Sequence, residues 1–347
     1  AFDVTGSGAA YQVNVTAADD GTLTATIPGG AAVDGAGQAS LASTSTDNSV
    51  TLNRNPPAIT ISAPTPATAS SGPVEFTITY QFADAVTLTP ADVAVVTTGT
   101  ASVGTINVTG TGVVSRTVSL NGLTGDGTVA IAIAADTATG PGGISAPEAG
   151  PSSPATVDNT APILALSSAV PDPTNASPVP VEASFTEAVI GFDVSDITPT
   201  NASVSGFTQV AADSYTFQLT PAGEGAFAAS VAANAAQDNA GNGSTGAAIS
   251  RNYDSMPPGV TVDVQAADPA IPFNALPIVF DVTFSEPVTG FEASDISVTG
   301  TASGVTYALG GAGDAYTVTI TGVTVDGTIT VSIPPNVAQD DAANGNT

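Results

Sequence analysis

Apolar and polar residues alternate with a period of two along many short stretches of the chain. The pattern is clear in VEASF (181–185) and returns in YTVTI (316–320) and ITVSI (329–333). Such alternation predicts β-strands with one buried face. Glycine, proline, asparagine and aspartate separate the stretches and mark turns. About seven short strands fit one sequence repeat, which predicts an all-β fold of tandem immunoglobulin-like β-sandwich modules.

One alanine-rich stretch interrupts this pattern at a constant place. It reads VAANAAQDNAGN (231–242), and it returns as IPPNVAQDDAANGNT (333–347) and less closely as IPGGAAVDGAGQ (27–38). Alanine favours helices, but glycine and proline lie too near for a long one, so we predict a short turn or 3₁₀ segment. Each copy presents one aspartate at a matching position, namely Asp238, Asp340 and Asp34.

The chain repeats itself with a period near 100 residues. Its linkers LNRNPP, VDNTAP and YDSMPP end at Pro57, Pro162 and Pro258. FTEAVIGFDVSDI (185–197) matches FSEPVTGFEASDI (284–296), and an acidic residue followed by glycine recurs at Asp20, Asp126, Glu224 and Asp326. We predict an elongated rod with four parts: an N-terminal segment (1–57) that is the C-terminal part of a module, a first module (58–157), a second module (158–254), and a third module (255–347) that lacks its last strand.

The incomplete parts at both ends of the sequence leave two interpretations open. Either the sequence is an excerpt of a longer chain, which we prefer, or neighbouring copies complete the modules by strand donation. The second interpretation would make the protein a self-assembling surface-layer or filament subunit.

Composition limits the chemistry that is available. The chain has 31 acidic residues, three arginines and no lysine, histidine or cysteine. This excludes histidine-dependent nucleophiles, thiolate zinc sites and disulfides, and leaves the oxygen ligands that suit Ca²⁺ or Mg²⁺. Such an acidic surface repels nucleic acid and anionic membranes, although a soluble protein of a halophile would share the acidity. No stretch approaches the roughly 18 apolar residues of a membrane span, so we expect no membrane insertion by this segment.

Four motifs together resemble the tandem bacterial Ig-like repeats of large surface adhesins and biofilm-associated proteins. They are the DNTAP linker (158–162), the Phe-Ser/Thr-Glu turn, the Gly-Phe-x-x-x-Asp-Ile strand entry and the Asp-x-Ala-Gly/Ala-Asn loop. The likeness covers most of the chain and is weakest in the first module. It implies seven-strand sandwiches and, in several related repeats, calcium bound where modules meet.

The resemblance also implies where calcium ligands would converge. In an Ig sandwich the B–C and F–G loops lie at the same end as the start of strand A, and calcium needs about six to eight oxygen ligands. The sets implied at the three junctions are Asp158, Glu187, Asp238 with Asn242; Asp254, Glu286, Asp340 with Asn344; and, in the first module, Asn53 or Asn55 with Asp84 and Asp136.

Each of these residues also has a purely structural interpretation. Aspartate and asparagine stabilise tight turns, and the acidic-glycine residues fit ordinary turns, although Glu224 or Asp126 could join an ion from the preceding module. We therefore expect a non-enzymatic, extracellular stalk on a bacterial cell surface, with neighbouring modules, and possible neighbouring copies, as its partners. Calcium at the junctions would stiffen the stalk.

Overall fold

The computed structural model describes residues 1–265, 273 and 275–347. It is built of short strands, which confirms the predicted all-β class, and helix occurs among the described residues only as 3₁₀ turns. None of these helices could cross a membrane. The chain forms two compact units, Ala1–Thr160 with Ala240–Asn242 and Ala161–Asn239 with Gly243–Thr347.

The N-terminal segment consists of two antiparallel strand pairs. They are β1 (Phe2–Ser7) with β2 (Ala10–Val15), and β3 (Gly21–Thr24) with β4 (Ser49–Leu52). Most of its large apolar side chains are exposed, including Phe2 at 75% and Tyr11 at 64%. The alternating pattern therefore produced strands here without a buried face.

The first module is a sandwich of two four-stranded sheets. Its strands are β5 (Ala58–Ile61), β6 (Thr68–Ala69), β7 (Val74–Gln81), β8 (Ala85–Val86), β9 (Val93–Gly99), β10 (Thr105–Thr109), β11 (Ser115–Asn121), β12 (Gly127–Ile133), β13 (Ala138–Thr139) and β14 (Ala155–Val157), with 3₁₀ turns at Pro90–Asp92 and Pro141–Gly143. The sheets have the orders β10-β11-β7-β5 and β6-β14-β12-β9, and β13 pairs with β8. Alternate residues of β7 are buried, so Phe76 and Ile78 meet Ile131 and Val118 in one core.

The second module has the same plan with fewer strands. They are β15 (Leu164–Ser167), β16 (Val179–Phe185), β17 (Ile197–Thr200), β18 (Ala202–Ala211), β19 (Ser214–Pro221), β20 (Gly225–Val231) and β21 (Ala247–Tyr253), with a 3₁₀ turn at Val194–Asp196. Their orders are β15-β16-β19-β18 and β17-β20-β21. Phe217 and Phe227 are fully buried between these sheets.

The third module also has a hydrophobic core of its own. Its strands are β22 (Val260–Val264), β23 (Ile278–Val288), β24 (Ser297–Thr299), β25 (Thr306–Gly322) and β26 (Thr330–Ser332), with a 3₁₀ turn at Ala293–Asp295. The described strands have the orders β22-β23-β25 and β24-β26. Phe284 packs edge-on against Phe291 and Tyr316, with ring centroids 5.4 Å and 5.9 Å away. In this aromatic trio, Phe284 lies on β23 two residues before Glu286.

Candidate metal centre

The alanine-rich loop forms a turn that the side chain of its aspartate holds together. The Asp340 amide donates to Asn344 O at 3.2 Å, and Asp340 Oδ1 accepts from the Asn344 amide at 2.8 Å. Asp34 Oδ1 accepts from the amides of Ala36 and Gln38 at 2.8 Å and 2.9 Å. The structural interpretation of this motif is thus confirmed for Asp340 and Asp34. Any metal role of Asp340 comes in addition to it.

At the third junction, between the second and third modules, this loop meets two other acidic residues. Asp254 follows β21 in the linker and Glu286 lies near the end of β23. One carboxylate oxygen from each of Asp254, Glu286 and Asp340 lies within 4.8 Å of the others. Asp340 is only 5% exposed, and Asp254 and Glu286 are half-buried. The structure therefore brings together the three acids that were predicted for this junction.

Asn344, the fourth residue of that set, acts here as a positioning residue. Its Nδ2 donates to Asp254 O and to Asp340 Oδ2, both at 2.9 Å, and its Oδ1 accepts from Asn175 Nδ2 at 3.1 Å. These bonds join a loop of the third module to the linker and to a loop of the second. In the preceding repeat, Asn242 Nδ2 makes the corresponding bond to Asp158 O at 2.8 Å.

The acidic group at the third junction carries uncompensated negative charge. Burial raises the pKa of Glu286, and the charges of Asp254, Asp340 and Asp341 raise that pKa further. Arg251 is the only arginine or lysine in the second unit. Its guanidinium donates to backbone carbonyls, those of Val170, Ser168 and Ser250.

This raised pKa gives a pH dependence with a defined sign. Folded Glu286 holds its proton more tightly than the unfolded chain does, so its ionisation opposes folding once the pH rises above about 4.5, its ordinary pKa. In chelator, the melting temperature of the Glu286→Gln variant should therefore fall less than that of the parent as the pH is raised through this window. Thermal unfolding at a series of pH values measures this difference. Glu182→Gln, an exposed strand position, is the control, and identical curves for the parent and Glu286→Gln would contradict the assignment.

The linkers share a main-chain conformation that begins with a side-chain cap. Asp254 Oδ1 accepts from the Met256 amide and Asp158 Oδ1 from the Thr160 amide, both at 3.0 Å. Asn53 Oδ1 accepts from the Asn55 amide, also at 3.0 Å. Of the two candidates in the first linker, Asn53 is therefore the counterpart of Asp254.

The acidic-glycine turns bind the linkers, a role that the sequence analysis missed. Glu224 accepts from the amide and hydroxyl of Ser255, and Asp126 Oδ1 accepts from the Asn159 amide at 2.7 Å. Asp20 Oδ2 accepts from the Arg54 amide at 3.1 Å. We call this contact the linker clamp. The only signal in the sequence was the separation of 31, 33 and 34 residues between the bonded partners.

At the first junction, between the N-terminal segment and the first module, Asp136 does not occupy the position of Asp340, and its role as a calcium ligand stays a prediction. The Asp136 amide donates to Ala146 O, just as the Asn336 amide donates to Asn346 O at the start of the alanine-rich turn. The counterpart of Asp340 is Gly140, whose amide donates to Ile144 O. Asp136 therefore lies four residues too early in the turn to act as Asp340 does.

Asp84 likewise does not occupy the position of Glu187, and its role as a calcium ligand also stays a prediction. The Tyr80 amide donates to Val114 O as the Phe185 amide donates to Asp213 O, so the position of Glu187 is occupied by Phe82. In the sequence, FADAV (82–86) resembles FTEAV (185–189) and would pair Phe82 with the core residue Phe185. In the structure, however, Phe82 is 60% exposed and has a φ of 61°. Asp84 and Asp136 belong to no cluster of three acidic residues in the described ranges.

At the second junction the two compact units divide the predicted set. Asp158 and Asn242 belong to the first unit, and Glu187 and Asp238 belong to the second. Within its own loop, Asp238 is only 2% exposed. Calcium binding by these four residues stays a prediction from the repeat.

Comparison with known proteins identifies one of the modules. Residues 158–255 match a family described as "Bacterial Ig-like domain". No curated protein sequence matches the chain.

Several solved structures resemble the chain at low similarity. They include invasin, a bacterial integrin-binding protein (13% identity, 82% of this chain and 56% of that chain, TM-score 0.34), and the I9–I11 tandem of titin (9%, 79% and 95%, TM-score 0.30). Domains 1–6 of the surface layer protein SbsC also match (13%, 84% and 58%, TM-score 0.20). The chain thus spans about half the length of the invasin chain, and these likenesses carry no functional argument. The family match over residues 158–255, together with the sandwich that the structure shows, confirms the resemblance to bacterial Ig-like repeats that the motifs indicated.

Proposed function

We propose that this chain is a structural stalk of a bacterial cell-surface adhesin, in which calcium at the junctions stiffens neighbouring Ig-like modules. The observation that supports this is the acidic group at the third junction. Asp254 comes from the linker, whereas Glu286 comes from β23 and Asp340 from the alanine-rich loop of the third module. An ion bound by all three would connect the linker to the module that follows it.

The type of ligand favours calcium. The three side chains offer carboxylate oxygens, and Ca²⁺ takes about six to eight oxygen ligands in a flexible geometry, with water completing the set. Mg²⁺ demands a stricter octahedron and gives up its water reluctantly. Neither histidine nor cysteine is available in this chain for a softer metal.

Charge provides the mechanism. Without an ion, the carboxylates of Asp254, Glu286 and Asp340 repel one another across the junction, which favours bending at the linker. A bound divalent cation turns this repulsion into attraction. Asn344, which already bonds to the linker and to Asn175 of the second module, keeps the ligand loop aligned.

The second junction is proposed to work in the same way. Asp158, Glu187 and Asp238 occupy the matching positions of the preceding repeat. The chain would then contain at least two calcium-responsive junctions, which suits a spacer that projects a binding domain from a cell surface or within a biofilm. Its acidic, cysteine-free composition fits an extracellular location.

Small-angle X-ray scattering of the purified chain tests the proposal. In millimolar calcium we expect a larger maximum dimension than in chelator and a narrower range of conformations, because the modules are then held at fixed angles. Magnesium at the same concentration is the control for ionic strength and should give a smaller change. Identical scattering with calcium and with chelator would overturn the proposal, and assembly that grows with protein concentration would favour a filament or surface-layer subunit instead.

A further inference from the structure

We propose that the first junction works without calcium, because arginine side chains and direct packing replace the ion there. This inference rests on the proposed function and deepens it. The chain would then combine one permanently fixed junction with junctions that respond to calcium.

All three acidic positions of the third junction are neutral at the first. The shared hydrogen bonds align Asn53 with Asp254, Phe82 with Glu286 and Gly140 with Asp340. A single asparagine side chain therefore remains where a calcium ion would find three carboxylates.

Direct packing occupies the space near Gly140. A Cβ atom at Gly140 would lie 2.8 Å from Phe82 O and 3.2 Å from Pro57 Cγ. Pro57 is buried and ends the first linker. The linker and the first module thus touch where the third junction has its acidic group. An aspartate side chain would not fit at Gly140 without moving the backbone.

Arg54 adds a fixed positive charge to the first linker. Its Nε donates to Asp20 Oδ1 at 3.0 Å, its amide donates to Asp20 Oδ2 at 3.1 Å, and its Nη2 donates to Ala18 O at 2.6 Å. The linker clamp is therefore an ion pair here, whereas Asn159 and Ser255 provide only neutral donors in the other linkers. Arg54 thus neutralises Asp20 with a side chain of the protein itself, and no bound ion is needed for this.

Arg116 places a second positive charge inside the same end of the first module. It faces Ile78 across the sheet as Tyr215 faces Ala183 and Tyr316 faces Val282, so it occupies the tyrosine position of the aromatic trio. Its side chain is 9% exposed, and its Nη2 donates to Val86 O at 3.2 Å. A buried guanidinium at this end of the module repels a divalent cation, because poor solvation strengthens the Coulomb interaction.

Hydrogen exchange followed by mass spectrometry on the full chain tests this inference. Peptides covering linkers 53–57 and 254–258 are compared in calcium and in chelator, for the parent, for Arg54→Gln and for Arg251→Gln. Arg251→Gln is the control: it also removes one arginine charge, but from β21 of the second unit. The hydrogen bonds described above for the Arg251 guanidinium all go to backbone carbonyls.

We expect calcium to slow exchange in 254–258 about tenfold or more and to leave 53–57 unchanged within about twofold. In chelator, Arg54→Gln should speed exchange in 53–57 about two- to fivefold, as expected for an exposed ion pair, and Arg251→Gln should not. Calcium protection of 53–57 equal to that of 254–258, or no effect of Arg54→Gln, would overturn the inference. Absence of calcium protection in 254–258, with the Arg54→Gln effect intact, would overturn the proposed function and leave the arginine-held junction supported.

Discussion

Calcium at about 100 times its dissociation constant is expected to raise the free energy of unfolding of the second unit by about 2.7 kcal/mol, and Glu286→Gln is expected to remove most of that gain. The substitution keeps the size of the side chain but removes its charge and one carboxylate ligand. Because burial and three neighbouring acids already raise the pKa of Glu286, the neutral amide should leave the calcium-free protein equally stable or slightly more stable. The measurement is a calcium titration of thermal or denaturant unfolding.

The design separates a bound ion from general charge screening. Glu182→Gln makes the same chemical change at an exposed position of β16 and should keep the full calcium response. Magnesium chloride at equal ionic strength should stabilise both variants alike and only weakly. If Glu286→Gln retained the response of the parent protein, the ion would have to bind elsewhere and the assigned site would be wrong.

Phe284→Ala should destabilise the third module by about 3–5 kcal/mol, the range for truncating a buried phenylalanine. Phe284 is 2% exposed and makes edge-on contacts with Phe291 and Tyr316. Its removal leaves a cavity in the core next to Glu286, which lies two residues further along β23. We therefore expect weaker calcium binding together with the loss of stability. Denaturant unfolding, followed by tyrosine fluorescence, measures the first effect, and calcium titration measures the second.

Phe82→Ala provides the matched control for this truncation. Phe82 is 60% exposed, so its removal should change stability by no more than about 0.5 kcal/mol. Phe284→Leu keeps an apolar side chain at the position and should lie between the two alanine variants. A loss below about 1 kcal/mol for Phe284→Ala would mean that the trio does not support this end of the module.

The sequence was sufficient to predict the sandwich fold and the third junction because both depend on local signals. Alternation in VEASF and its relatives defines the buried faces of strands, and the Phe-Ser/Thr-Glu and Asp-x-Ala motifs are nearly identical in the second and third modules. The Ig topology then places those motifs at one end of the module. Asp254, Glu286 and Asp340 were found in this way.

In the first module, the match between residue types and the strand pairing give different alignments. Pairing fixes Tyr80, and not Phe82, as the counterpart of Phe185, which moves Asp84 two positions away from the glutamate position. Identity of side chains is a poor guide in a divergent repeat, because the register is determined by backbone bonds and by which residues are buried. The linker clamp was missed because its partners lie more than 30 residues apart and meet only after the sandwich has folded.

The linker clamp, and the side-chain cap that begins each linker, limit the residue types of a linker only weakly. Both accept backbone amides: Glu224 binds that of Ser255 and Asp254 that of Met256. Every residue except proline can donate such an amide. The two amide donors are Arg54 and Asn55 in the first linker, Asn159 and Thr160 in the second, and Ser255 and Met256 in the third. These different residue pairs therefore make the same two backbone hydrogen bonds. The residue types at these two positions can therefore be exchanged between linkers, and a linker can gain or lose a charged side chain while its main-chain conformation is kept.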